Sequence, residues 1–314
     1  MGMTNPLARP QETADRAAAT EGPTAAARPQ SDPRRTPVYA STTDTRTLAT
    51  LAVMYLLLVG NWALYWSHPG PLLLHILLST IAIHLAFTVW HEAVHRNVSP
   101  RNWVNNFVGI AGILPYMFPY FMQRWIHLQH HAKLNAADDP NHLYIDGPFW
   151  QIPLRYLQAI PFLRKLRETD PRTPAEKSAD VLLPCSVLSV FAIGWYAGVL
   201  TDLLLLWLLP VALAKIVMDW YINYLPHVGL PPHRFLGTRI VDVNWITPLL
   251  LGHNYHAIHH LWPGIPWHRY KPVYKERLGY LKQHGVPIEH RVIGGRTGGR
   301  TDPADTVERR AGAD

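Results

Sequence analysis

The chain has 314 residues, with 48% hydrophobic residues, a formal net charge of +7, 18 histidines and one cysteine. A lone cysteine excludes an intramolecular disulfide and any thiolate metal site, so Cys185, inside an apolar run, reads as a packing residue. The basic excess is spread over tails and loops beside apolar runs, which points to a membrane surface and away from nucleic acid.

The mean hydropathy of −0.03 averages polar ends with a very apolar middle. Residues 1–46 are rich in Ala, Pro, Thr and Arg and hold too little apolar surface to offset ordering entropy, which predicts a disordered tail. They contain no apolar stretch of the secretory-signal type. The C-terminal stretch 294–314 reads as a second disordered tail, leaving one membrane domain over 47–293.

Four runs are long and apolar enough to span a bilayer, which takes ~20 helical residues. They are 47–66, 71–90, 181–200 and 203–222. Only SHPG separates the first two and only Thr201-Asp202 the last two, so each pair is predicted to be a tight hairpin. Neither connection carries Lys or Arg. The intervening segment carries Arg101, Arg124, Lys133, Arg155, Arg164, Lys165 and Arg167, which by the positive-inside rule makes it cytoplasmic, together with both termini. Trp62, Trp66, Trp90 and Trp220 fall near span ends, as interfacial aromatics do. The apolar stretch 107–122 is short and broken by Pro115 and Pro119. It reads as re-entrant or interfacial, because a full crossing would place its flanks on opposite faces. The fold class is thus an all-α integral membrane protein: four transmembrane helices in two hairpins under a cytoplasmic histidine-rich helical cap.

The histidines follow this topology. WHEAVHRN places His91 and His95 at i, i+4 where the second span ends. RWIHLQHH supplies His127, His130 and His131, and NYHAIHH supplies His256, His259 and His260, both spaced to share one helical face. NYLPH, after the fourth span, adds Asn223 and His227. All four elements reach one membrane face, where clustered imidazoles serve metal binding rather than packing. Nine imidazoles are too many for one ion and suit two; imidazole alone does not choose among Zn, Fe, Cu and Ni. His75 and His84 read as packed or hydrogen-bonded residues, and His68, His233, His268, His284 and His290 as surface or structural ones. His142 and His253 are candidates to stand behind the ligands. Lys215 and Asp219, i, i+4 near the cytoplasmic end of the fourth span, read as a structural couple rather than part of a substrate path.

HEAVH also matches the zinc-protease pattern H-E-x-x-H. That reading needs a third ligand, typically from an intramembrane Asp-Gly. The only Asp-Gly, Asp146-Gly147, lies in the cytoplasmic segment, and the other clustered histidines would be left without a role.

The set H-x-x-x-H, H-x-x-H-H, N-x-x-x-H and H-x-x-H-H on two hairpins resembles the membrane fatty-acid desaturase and hydroxylase superfamily. Within it, HLQHHAKLNAADDPNH (127–142), INYLPH (222–227) and GHNYHAIHHLWPGIPWHRY (252–270) are similar to the bacterial β-carotene hydroxylase branch. The resemblance implies two non-haem iron ions held by His91, His95, His127, His130, His131, His227, His256, His259 and His260. Asn223 would act through a water or as a weak ligand, and Glu92 would accept from a ligand imidazole. It implies O2 as co-substrate and oxidation of an unactivated C–H bond in a membrane-dissolved lipid, with β-ring hydroxylation of β-carotene toward zeaxanthin as the leading reading. Fatty-acid desaturation and carotenoid ketolation are alternatives on the same scaffold, and a membrane zinc hydrolase or metal transporter is the non-oxidative one. No flavin or nicotinamide fingerprint is present, so electrons would come from a ferredoxin-type donor at the cytoplasmic face of a bacterial inner membrane.

Overall fold

The computed structural model describes residues 42–68, 70–145, 147–155 and 170–292. The predicted tails, apart from residues 42–46, and Arg164, Lys165, Arg167 and Asp146 lie outside the described residues. The described residues are mostly helical, and among them four helices are long and apolar enough to cross a membrane: α1 (Thr45–Ser67), α2 (Leu72–Val94), α6 (Pro174–Tyr196) and α7 (Leu200–Tyr224). Between the hairpins lie α3 (Asn102–Ile113), α4 (Tyr120–Lys133) and the short α5 (His142–Ile145). After α7 come α8 (His256–Leu261), α9 (Tyr270–Glu276) and α10 (Leu278–Gln283), with strands β1 (Ile240–Val241) and β2 (Ile288–Glu289) paired in parallel.

Burial ranks the spans. In its most apolar window α2 is 44% buried and α6 only 6%, so α2 is the central helix and α6 a peripheral one. Cys185 is therefore exposed on α6, contrary to the packing role expected of it, because among the described residues no other helix covers the face that carries it. A buried polar clamp joins α1 to α2: Asn61 Nδ2 donates to the His75 carbonyl (2.9 Å) and to Ser79 Oγ (3.0 Å), and Asn61 Oδ1 meets His75 Nδ1 at 2.8 Å. At the end of the bundle away from the histidines, Asp202 accepts from Tyr65 Oη (3.0 Å) and Trp66 Nε1 (3.3 Å), tying the two hairpins together.

Two predicted boundaries move. α6 begins at Pro174, well before residue 181, because Thr173 and Glu176 form a reciprocal capping box that starts the helix in its polar stretch. The second hairpin turns at Ala197–Val199 rather than at Thr201-Asp202: Gly198 takes the left-handed conformation (φ 74°), and Thr201 and Asp202 form the first turn of α7.

The stretch 107–122 is a helix–turn–helix that folds back on itself. Pro115 and the left-handed Met117 break α3 from α4. Carbonyls near the tip are satisfied by side chains of the spans, Tyr55 Oη donating to Ala111 O (2.8 Å) and Trp207 Nε1 to Pro115 O (2.8 Å). Irregular backbone at membrane depth is stable only with such partners. At Gly112 a Cβ would lie 2.8 Å from Val89 Cγ1 and 2.9 Å from the Trp90 nitrogen, so α3 seats on α2 by backbone approach. Gly112→Val is expected to cost ~1–3 kcal/mol through overpacking, read as a lower melting temperature in detergent.

Beyond the spans, Tyr255, Ile258, Trp262, Ile265, Tyr270 and Leu281 build the core of a cap over α2 and α7. Trp267 Nε1 donates to Thr47 Oγ1 (3.1 Å) and ties this cap to the start of α1.

Candidate metal centre

The end of α2, the last two turns of α4, the turn after α7 and the whole of α8 meet under the cap. They bring together all nine predicted histidines. His91, His95, His127 and His259 form a first group and His130, His227, His256 and His260 a second, with ligand atoms within 4.8 Å in each. A third set, His131, His259 and His260, shares one member with each group and joins them. This arrangement could hold two metal ions side by side.

The facing atoms are Nε2 throughout. His95 and His127 approach to 2.8 Å, His91 and His259 to 3.1 Å, His131 and His259 to 2.8 Å, His131 and His127 to 3.1 Å. In the second group His256 lies 3.1 Å from His227 and 3.0 Å from His260. Burial, reinforced by neighbouring imidazoles, pushes His127, His131, His227, His256, His259 and His260 well below the usual histidine range. Burial alone brings His95 to about 3. These seven rings are therefore neutral near pH 7.

Outer hydrogen bonds decide which nitrogen carries the proton. Both Asp139 oxygens lie 2.9–3.0 Å from His130 Nδ1, and a carboxylate only accepts, so the proton sits on Nδ1 and the Nε2 lone pair points inward. Asn135 gives its amino group to the carbonyls of Leu230, Pro231 and Gly237, leaving Oδ1 to accept from His227 Nδ1 at 3.1 Å. Tyr270 Oη donates to Glu92 Oε1 (3.3 Å) and so accepts from His259 Nδ1 (3.1 Å). Glu92 Oε2 is held by Asn97 Nδ2 (3.1 Å) and the Trp267 backbone nitrogen (3.2 Å). At His130, His227 and His259 the Nε2 lone pair thus points in among the other imidazoles, where a metal ion could accept it. The donor set fits two metal ions, and the fixed tautomers are the outer support such ligands require.

Asp139, Asn135 and Tyr270 are the functional residues that sequence reasoning missed. The available signal was the polar run LNAADDPN directly after H-x-x-H-H, short enough to fold back onto its own helix.

Other candidates sit elsewhere. Asn223 lies between Asn141 Nδ2, which donates to its Oδ1 (3.1 Å), and Asp219 Oδ1, which accepts from its Nδ2 (2.8 Å). His253 is buried and meets Thr88 Oγ1 at 3.1 Å through Nε2; it belongs to neither group. His84 meets the Leu249 carbonyl at 3.0 Å, and His75 belongs to the α1–α2 clamp. Trp90 is buried with its ring 6.1 Å from those of His91 and His127, so it walls the centre rather than marking an interface.

The protease reading of HEAVH loses its base. Glu92 is buried with both oxygens engaged by Tyr270, Asn97 and Trp267, and His91 and His95 are completed by two further histidines. Glu92→Gln is expected to leave partial oxidation. Its amide NH2 would face Tyr270, turning the phenol proton toward His259 Nδ1 and favouring the wrong tautomer, at ~10-fold in metal affinity. Calorimetric metal titration alongside product assay checks it.

Helices long and apolar enough to cross a membrane, ending beside paired all-histidine groups, fit a membrane metalloenzyme. The comparisons agree: the fatty acid desaturase profile matches residues 60–292, and the chain belongs to that family. It is 26% identical over 252 residues to the sn-1 oleoyl-lipid 12-desaturase of Picosynechococcus sp., covering 69% of this chain and 72% of that protein. To the dihydrorhizobitoxine desaturase of Bradyrhizobium elkanii it is 26% identical over 273 residues, covering 75% and 73%. To the chloroplastic omega-6 fatty acid desaturase of Brassica napus it is 24% identical over 221 residues, covering 57% and 48%.

Proposed function

We propose that the protein is an O2-dependent di-iron oxidase of a membrane-dissolved lipid, and that its reaction is β-ring hydroxylation of β-carotene toward zeaxanthin. The observation that carries the di-iron reading is the pair of adjoining four-histidine groups at the end of the spans. Iron, when bound by the nine histidines, supplies oxidation of an unactivated C–H bond with O2. The chain's own residues do the rest. Asp139, Asn135 and Tyr270 hold three rings with Nε2 unprotonated, and Phe87 and Trp90 pack beside His91 and keep water away from it. Asn223 would reach the centre through a bound water.

His131 and His260 border a surface pocket of about 310 Å³ with Lys133, His233 and Arg234 on its walls. This basic opening suits a ferredoxin-type donor at the cytoplasmic face of a bacterial inner membrane. The segments around the second and third histidine clusters favour the carotenoid substrate, whereas the relatives' names favour acyl-lipid desaturation as the second reading. Expression in a host that accumulates β-carotene, with a ferredoxin and its reductase, separates them. Chromatography should reveal hydroxylated carotenoid; unchanged β-carotene with new double bonds in host acyl chains would select the desaturase.

A further inference from the structure

Lys215, partly buried, and Asp219, fully buried, form an ion pair within α7, Nζ lying 2.6 and 2.8 Å from the two carboxylate oxygens. Such a pair is costly inside a membrane span, and replacing one by apolar residues is commonly neutral or stabilising. As a mere structural couple it has little to recommend it. Its surroundings give it another role. Asp219 opens a π-helical stretch, Asp219–Tyr224, a backbone irregularity that concentrates at functional sites. Asp219 Oδ1 accepts from Asn223 Nδ2 (2.8 Å), and because a carboxylate only accepts, it fixes the orientation of that amide. Asn223 Oδ1 then accepts from Asn141 Nδ2 (3.1 Å). Asn141 closes the chain with its backbone nitrogen, which donates to Asp139 Oδ1 at 2.8 Å.

The loop that Asn141 ends carries both acceptors that set tautomers in the second group, Asn135 for His227 and Asp139 for His130. One end of the loop is pinned by Asn135 to the turn at 230–237. The other end is pinned to the membrane span through Asn223 and the ion pair. We propose that Lys215 and Asp219 are positioning residues for the second histidine group, holding loop 135–141 in register with His130 and His227. This rests on the metal-centre reading above. The first group receives its outer contacts from Glu92 and Tyr270 instead, so the effect is confined to one of the two sites.

The test is anaerobic Fe(II) titration by calorimetry of metal-free, full-length protein in detergent, with melting temperature measured in parallel. Lys215→Met combined with Asp219→Leu should melt like wild type, while one of two Fe(II) binding steps weakens ~10-fold and the other is unchanged. Asn141→Ala, outside the span and keeping the backbone bond to Asp139, should weaken the same step. Wild-type binding at both steps in either variant overturns the proposal and leaves the pair structural. If the double variant melts early, Asn141→Ala alone decides by the same criterion. If wild type binds no Fe(II), the metal-centre reading falls and the positioning role with it.

Discussion

Alanine at His130 is expected to abolish product formation, whereas alanine at His75 should leave it near the wild-type level. Both histidines are buried and both are hydrogen-bonded, so burial does not separate them. Their partners do. His130 belongs to the second group and has its Nδ1 fixed by a carboxylate, so its Nε2 is committed inward. His75 hydrogen-bonds the amide of Asn61 and meets the Tyr65 ring edge-on at 5.2 Å, far down the α1–α2 hairpin. Removing His130 takes away a donor that no neighbouring side chain replaces, and the fall in activity should exceed the ~100-fold typical of losing an outer contact. Removing His75 leaves Asn61 Oδ1 buried without its partner, at ~1–3 kcal/mol of stability. The readouts are product by chromatography, iron by elemental analysis and melting temperature. His130→Ala should lose iron and product, and His75→Ala only thermal stability. Equal activity loss in both would contradict the assigned centre.

The contrast marks what was legible in the sequence. Hydropathy and histidine spacing are local signals, and they place the spans and the nine converging rings, because a helix ending at a membrane face leaves its i, i+4 residues little freedom. The same holds for 107–122, where two prolines betray the fold-back. What local pattern does not carry is direction across space. Tyr270 serves His259 from a different helix, and Asn61 finds its partner across a hairpin. The start of α6 was readable in Thr173-x-x-Glu176 but hidden by polarity, since hydropathy marks where a helix enters lipid and not where it begins. Cys185 shows the converse: an apolar run around a residue says that it avoids water, and on a peripheral span lipid meets that need.

Asp139→Asn should produce the largest effect of any residue outside the nine histidines. The Asp139 side chain answers three donors at once: His130 Nδ1, the Asn135 backbone nitrogen (2.8 Å to Oδ2) and the Asn141 backbone nitrogen (2.8 Å to Oδ1). Asparagine has one oxygen for these donors and an amino group that can accept from none. Whichever way the amide turns, a backbone N–H, that of buried Asn135 or of partly buried Asn141, loses its acceptor, at up to ~1–3 kcal/mol of stability. If the oxygen stays with the backbone, the NH2 faces His130 and drives its proton to Nε2, the atom that must remain free. Metal affinity of the second group should then fall ~10–100-fold, while the first group, buttressed by Glu92 and Tyr270, keeps its own. Asp138, the exposed neighbour paired with Lys133 at 2.9 Å, provides the control: Asp138→Asn changes the same charge one residue away and should leave both sites intact. Stepwise Fe(II) titration of the two variants separates a specific acceptor from a general loss of negative charge. Equal weakening in both would place the effect in the field of the loop and remove Asp139 from the centre's support.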